Sequence, residues 1–303
     1  MDARHLSLLR ELAERGSVAA VAAATFRTPS AVSQQLRTAE RDLGVQLVEP
    51  DGRGLRLTDA GRLLAECGLE VDTALARAQA RLDGLRERPA GVVRIRALPS
   101  AMEYLVPGLL AGLQGEQVEV VLEDVDVAEA DFAMLARDAD LVIGHSLTDA
   151  VPRGAEHLAR TVLCREPIDI AVPAVHPLAR HHTVAPADVV GEPWIGVPDG
   201  FPFDTVRQAI ETATGRATEV RQRVRDNRVV AALVAGGHGL ALLPRFTSAY
   251  DGVVLVPLRD VPATRWVVAM ARPDRAERAV VRRTLTELRR VSRTRERASG
   301  DAG

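Results

Sequence analysis

Lysine is absent from the chain of 303 residues, so every one of its 39 basic side chains is arginine. Beside an alanine-rich composition, that reads as the vocabulary of a GC-rich coding genome rather than the mark of one activity. Cysteine is almost as scarce: Cys67 and Cys164 lie 97 positions apart without a metal-ligand spacing. Their number and separation exclude a disulfide scaffold and a structural zinc site, and point to a reducing cytoplasm. No charged-then-apolar leader opens the chain, so export is not expected. No apolar run reaches the roughly 18 to 20 residues that cross a bilayer, which excludes membrane insertion. A nucleophile elbow, a phosphate loop and a zinc signature are all missing, which argues against a hydrolase or transferase.

What is present describes an ordinary globular protein. Hydrophobic residues make up 47% and charged residues 26%, and the length suits two or three domains. The net charge of -2 decides nothing about a polyanionic partner, because nucleic-acid binding depends on local basic groups. Three textures follow one another. Short helical patterns fill the first 58 residues, one long helical pattern runs from Thr58 to about Glu87, and strands alternate with helices beyond Pro89. The run Arg86-Glu87-Arg88-Pro89-Ala90-Gly91 ends in helix breakers and marks a boundary.

The opening texture predicts helices over Asp2–Arg15, Val18–Ala24 and Ser30–Leu43. Ser17 caps the second and Thr28-Pro29 starts the third, the arrangement of a helix-turn-helix. On the third helix Val32, Leu36, Ala39 and Leu43 share one face, and Ser30, Ser33, Gln34, Arg37 and Arg41 share the opposite one. Amide, hydroxyl and guanidinium groups with no acid among them suit base edges and phosphates. Val45–Val48 and Leu55–Leu57 then flank a glycine-rich tip, Glu49–Gly54, as a wing whose Arg53 and Arg56 reach DNA backbone or minor groove. Eight arginines against seven acids through Thr58 make placement, not bulk charge, the argument.

The segments Ala19–Ala24, Thr28–Leu36, Leu43-Gly44-Val45 and Gly52–Gly61 together resemble the winged helix of LysR-type transcriptional regulators. Two departures stand out: Val48-Glu49-Pro50 where the family commonly has an aromatic followed by Glu-Arg, and Phe26-Arg27 in a turn where a small apolar residue is usual. The resemblance implies an α/β chain with three parts. Residues 1–58 form an N-terminal winged helix-turn-helix, 59–88 a linker and dimerisation helix, and 89–303 a two-lobed effector domain resembling periplasmic binding proteins. Lobe 1 is 89–166 with 268–303, and lobe 2 is 167–267. It also implies a homodimer or tetramer on a pseudo-palindromic promoter site of double-stranded DNA, and DNA contacts from Thr28, Pro29, Ser30, Ser33, Gln34, Arg37, Arg41, Arg53 and Arg56.

On the long helix Ala60, Leu64, Cys67, Val71, Ala74, Ala78, Leu82 and Leu85 form a heptad seam for a partner chain. Packing on the chain's own effector domain is the alternative, since Gly68 and Gly84 weaken a free coil. Cys67 reads as a small core residue. Beyond Pro89, strands are expected at Val92–Ala97, Val118–Leu122, Leu141–Ile143, Ile168–Val172, Trp194–Val197 and Trp266–Met270, in a mainly parallel sheet with lobe crossings near Glu166–Ala171 and Trp266–Met270. Ligands of such sheets settle at carboxyl ends of strands. That rule selects Ser100, Ala101 and Met102, then His145, then Pro198, Phe201 and Phe203, with Asn227 and His238 as further candidates. Ser100 at a helix start favours an acid, the phenylalanines an apolar or aromatic surface, and Asp199 or Glu103 a cation, so an amino acid or small aromatic acid is expected. Asp124-x-Asp126 with Glu123, and His181-His182, lack partners at a metal or catalytic spacing. No cofactor, metal or enzymatic activity is expected. A basic helical pattern from Ala276 onward, carrying Val280, Val281, Leu285, Leu288 and Val291, reads as a solvated helix. The rival function is a cytoplasmic small-solute-binding protein with no role in gene control.

Overall fold

The first helices begin where a side-chain oxygen meets a free backbone N–H. In the computed structural model, which describes residues 2–52, 54–85, 89–247 and 250–300, Asp2 caps α1 (Ala3–Arg15), Ser17 caps α2 (Val18–Ala24) and Thr28 caps α3 (Pro29–Leu43). Leu8, Leu9, Leu12, Val21, Val32 and Leu36 close a small core between them. The wing is a tighter hairpin than its composition suggests: β1 (Val48–Asp51) pairs with β2 (Gly54–Leu57) from Val48↔Leu57 to Asp51↔Gly54. Glu49 and Pro50 therefore belong to a strand rather than to the tip. Proline is tolerated there because a two-stranded ribbon leaves one side of each strand without a ladder partner. Glu40 of α3 accepts from the Leu47 N–H at 2.9 Å, and Thr58 donates to the Gln46 carbonyl at 2.8 Å while capping α4 (Asp59–Gly84).

Helix α4 turns Gly61, Ala65 and Gly68 inward. A methyl group at Gly68 would stand 2.7 Å from the Leu6 carbonyl oxygen, so the glycine is what lets α1 and α4 approach. The expected seam is a different face: Ala60, Leu64, Cys67 and Val71 are half-buried, whereas Ala74, Ala78, Leu82 and Leu85 are exposed.

The chain divides into two compact units, 1–88 with 273–279 and 89–272 with 280–303. The second contains β3 (Gly91–Ala97), α5 (Pro99–Gly112), β4 (Val118–Asp124), α6 (Phe132–Leu135), β5 (Leu141–Ser146), β6 (Ala159–Pro173), α7 (Pro186–Val189), β7 (Pro193–Gly196), α8 (Pro202–Thr214) and β8 (Glu219–Arg223). It continues with α9 (Asn227–Ala235), β9 (Ala241–Pro244), β10 (Val253–Val256) and β11 (Thr264–Ala271) and, after α10 (Pro273–Ala276) of the first unit, ends in α11 (Ala279–Gly300). Val280, Val281, Leu288 and Val291 of α11 are buried. Its apolar stripe thus covers core, and a Cβ at Gly108 of α5 would meet the Val291 side chain at 2.8 Å.

The sheet is mixed, not mainly parallel. Strand β3 pairs in parallel with β4 and β5, but β11 runs antiparallel to β5 and β6, and β6 antiparallel to β9 and β10. The cause is β6, a 15-residue strand that passes through both lobes. Its ladder with β11 ends at Thr264↔Pro167, and its ladder with β9 begins at Ile168↔Pro244. The first crossing falls where the sequence places it. The second precedes Trp266–Met270, because those residues already pair with β5 inside lobe 1.

Candidate DNA interface and effector cavity

Helix α3 buries Val32, Leu36 and Ala39 and leaves Thr28, Pro29, Ser30, Gln34, Arg37 and Arg41 exposed, with Ser33 half-buried. Arg37 Nη2 donates to Gln34 Oε1 at 2.9 Å. The bond joins the amide and guanidinium on one outward patch while the Gln34 amide N–H groups stay available. Arg41 lies 3.6 Å from Asp42, and Arg56 is ion-paired across the wing with Glu49 at 2.9 Å. Contact of Arg56 with a phosphate would exchange that pair. Arg53 lies outside the described residues. The turn before α3 closes α2 through Arg27 N–H to the Ala22 carbonyl at 2.9 Å and Phe26 N–H to the Ala23 carbonyl at 3.4 Å. This ending needs a left-handed residue, and Phe26 supplies it at φ 54° with its ring 99% exposed.

In the second unit a cavity of about 530 Å³ opens at the carboxyl ends of β3, β4, β7 and β8. Helices α5, α8 and α9 begin at its walls. Asp226 caps α9, whereas α5 and α8 have no side-chain cap, so the partial positive charge of two helix starts is directed at the space. Its floor is a buried polar cluster. Arg265 of β11 donates to Glu166 from Nε at 2.8 Å and from Nη2 at 2.6 Å, and from Nη2 to Ser100 Oγ at 2.9 Å. Arg265 Nη1 lies 3.2 Å from His145 Nδ1. The guanidinium can only donate, so Nδ1 is the acceptor and the ring proton resides on Nε2. Burial, and then the Arg265 charge, hold the His145 pKa well below the usual histidine value, which keeps the ring neutral. Phe203 covers the cluster, its centroid 5.6 Å from the guanidinium and 6.2 Å from the His145 ring.

The cavity brings together five of the residues selected from the sequence: Ser100, His145, Phe201, Phe203 and Asn227. Ala101 is buried behind it, and Met102 and Pro198 are half-buried away from its lining. His238 is exposed on the turn before β9. The neighbouring Gly239 serves packing instead, since a Cβ there would stand 2.7 Å from the Pro193 carbonyl oxygen. His145 lies on β5 opposite Val267 rather than in a loop, because antiparallel pairing with β11 extends the strand to Ser146. Sequence reasoning missed Arg265 and Glu166, although a charged side chain within an apolar strand signals a buried partner. It also missed Asp124, Asp126, Arg225, Arg228 and Tyr250 as lining residues. Of the two acids expected to meet a cation, Glu103 lines the cavity and Asp199 instead pairs with Arg223 at 3.0 Å.

The same division appears in comparison with known proteins. Residues 86–293 match the family model described as LysR substrate binding domain, and residues 3–62 match that of a bacterial regulatory helix-turn-helix protein, lysR family. The chain belongs to the LysR family. It is a transcriptional regulator with a helix-turn-helix DNA-binding domain and an effector-binding domain, and the solute-binding alternative without a gene-control role is set aside. The transcriptional dual regulator GltC of Bacillus subtilis is 30% identical over 292 residues, covering 92% of this chain and 93% of that protein. The DNA-binding transcriptional dual regulator OxyR of Escherichia coli is 26% identical, covering 90% of each. Among solved structures, an OxyR C206 mutant of Corynebacterium glutamicum aligns at TM-score 0.60 and 20% identity, covering 100% of this chain and 96% of that one. Full-length CbnR in complex with its target DNA aligns at 0.55 and 19% identity, covering 96% and 100%. These two show the fold shared by this LysR regulator. Among the described residues no helix is long and apolar enough to cross a membrane, and no group of metal-ligating side chains is present.

Proposed function

We propose that this LysR regulator acts in the cytoplasm as a homo-oligomer, with α3 of each protomer reading one half of a pseudo-palindromic promoter site. An amino acid or small aromatic acid bound in the effector cavity shifts the population of lobe arrangements and so the DNA-bound state. The observation that carries the DNA reading is the outward face of α3, where Ser30, Gln34 and Arg37 stand exposed opposite Val32, Leu36 and Ala39. Gln and Arg make bidentate contacts to adenine and guanine edges, each worth about 1–3 kcal/mol of discrimination. The contact set is Thr28, Pro29, Ser30, Ser33, Gln34, Arg37 and Arg41, with Arg53 and Arg56 of the wing on the backbone. The effector contacts are Ser100, His145, Phe201, Phe203 and Asn227. No catalytic role is assigned, and Asp124 and Asp126 act as a charged wall of the cavity.

Gln34→Ala and Arg37→Ala are expected to abolish the specific promoter footprint while ligand binding persists. A footprint unchanged in both variants overturns the assignment of α3 as the reading helix.

A further inference from the structure

The cavity's two walls differ in charge. From lobe 1 come Glu103, Asp124 and Asp126, with His145 at the floor; from lobe 2 come Arg225, Arg228 and Asp226. Asp226 is engaged at the start of α9, accepting from the Arg228 N–H at 2.8 Å and facing its Nε at 3.5 Å. Arg225, stacked 5.8 Å from the Phe201 ring centroid, is then the lobe 2 cation that acts on the Asp126 carboxylate across the cavity. The floor adds no net charge, since Arg265 is neutralised by Glu166 and His145 is neutral. Burial raises the Asp126 pKa; the Arg225 charge opposes that shift and the Asp226 charge adds to it.

The floor has a defined polarity as well. Ser100 Oγ accepts from Arg265, so its own proton is free to donate. His145, 8% exposed, has its Nδ1 turned to Arg265, which leaves Nε2–H as the donor of the ring. That ring belongs to the cavity lining, beside Ser100.

We propose that the effector is a dipolar small molecule of the amino acid class, its ammonium group received by Glu103, Asp124 and Asp126 and its acceptor end held by Ser100 and His145. This rests on the reading of the cavity as the effector site and narrows it, since an acid without a cation is repelled by the lobe 1 wall. The dimensions agree. Glu103 follows Ser100 by three residues on α5, a separation of about 5–6 Å between neighbouring side chains on a helix. Asp124 stands beside Ala97 across the β3–β4 ladder, at the end of the strand that leads into Ser100. An ammonium and a carboxylate carried on the same or adjacent carbons bridge such a distance. Arg225 on lobe 2 then meets a second acceptor of the ligand or its carboxylate edge as the lobes close.

The test uses full-length protein and three matched probe series: the proteinogenic L-amino acids, the 2-hydroxy acids with the same side chains, and the amines lacking the carboxylate. Binding is read by titration calorimetry and by the shift of the thermal midpoint. At least one amino acid should bind tenfold or more tightly than its hydroxy acid, and a Glu103→Gln/Asp124→Asn variant should erase that preference. If hydroxy acids bind as tightly as amino acids, the inference is overturned while the cavity remains the effector site. Stabilisation by none of the probes overturns both. Should the variant fail to fold, the comparison of series on the unaltered protein decides alone.

Discussion

Phe26 holds a left-handed backbone conformation at φ 54°, which side chains with a Cβ adopt at a cost of about 1–2 kcal/mol, and its ring packs against almost nothing. Phe26→Gly is therefore expected to raise the stability of the DNA-binding unit by about 0.5–1 kcal/mol, seen as a higher thermal midpoint. His145 carries a prediction of opposite kind. Its folded pKa lies well below 6.5, so below that pH the unfolded chain binds a proton that the folded chain refuses. The contribution is complete above pH 6.5 and is lost as pH falls, with a slope of about 1.4 kcal/mol per pH unit. Urea titrations between pH 6.5 and 5 should show this slope, and His145→Gln should remove it. Glu166 and Arg265 are 1% and 2% exposed at their side chains. Glu166→Gln strands a buried guanidinium and should cost about 3–5 kcal/mol, whereas replacing both residues with glutamine should cost less.

At the level of elements, the two glycines of α4 separate helix propensity from packing. Gly68 meets the Leu6 carbonyl, whereas Gly84 has nothing within 4 Å. Gly68→Ala should destabilise by about 1–3 kcal/mol through overpacking, and Gly84→Ala should stabilise by up to about 1 kcal/mol; chemical denaturation of the two variants checks the contrast. The same helix shows where sequence reading succeeds and where it stops. Its start and those of α1 to α3 were legible because Asp2, Ser17, Thr28 and Thr58 are chemically distinctive caps. Which face would be covered was not, since small residues at Gly61, Ala65 and Gly68 give a weak apolar signal yet permit the closest approach. Strand β8, Glu219–Arg223, went unread because its side chains are mostly exposed. The wing's tip is shorter than the sequence suggests because Pro50, a residue that ordinarily ends strands, lies within β1. For the cavity, strand ends pointed to Ser100, His145 and Phe203, but Arg265 arrives from a strand 165 positions beyond Ser100. Only the tertiary ladder brings those two together.

Across the whole molecule, exposed apolar groups continue along α4 at Leu75, Leu82 and Leu85, with 59%, 47% and 81% exposure. A helix of this length with such a stripe is a natural coiled-coil seam, and pairing two recognition helices multiplies modest individual affinities. Leu75→Glu/Leu82→Glu should lower the molecular mass found by analytical ultracentrifugation and weaken promoter binding by more than tenfold, while the effector titration stays unchanged.

Strand β6 finally constrains how an occupied cavity can be felt elsewhere. No flexible tether intervenes between the halves it serves, for its neighbours change at Pro167 and Ile168 while its own backbone runs on. The Glu166–Arg265 pair sits at that change of neighbours, so the floor of the cavity is fastened to the strand at the point where its two ladders meet.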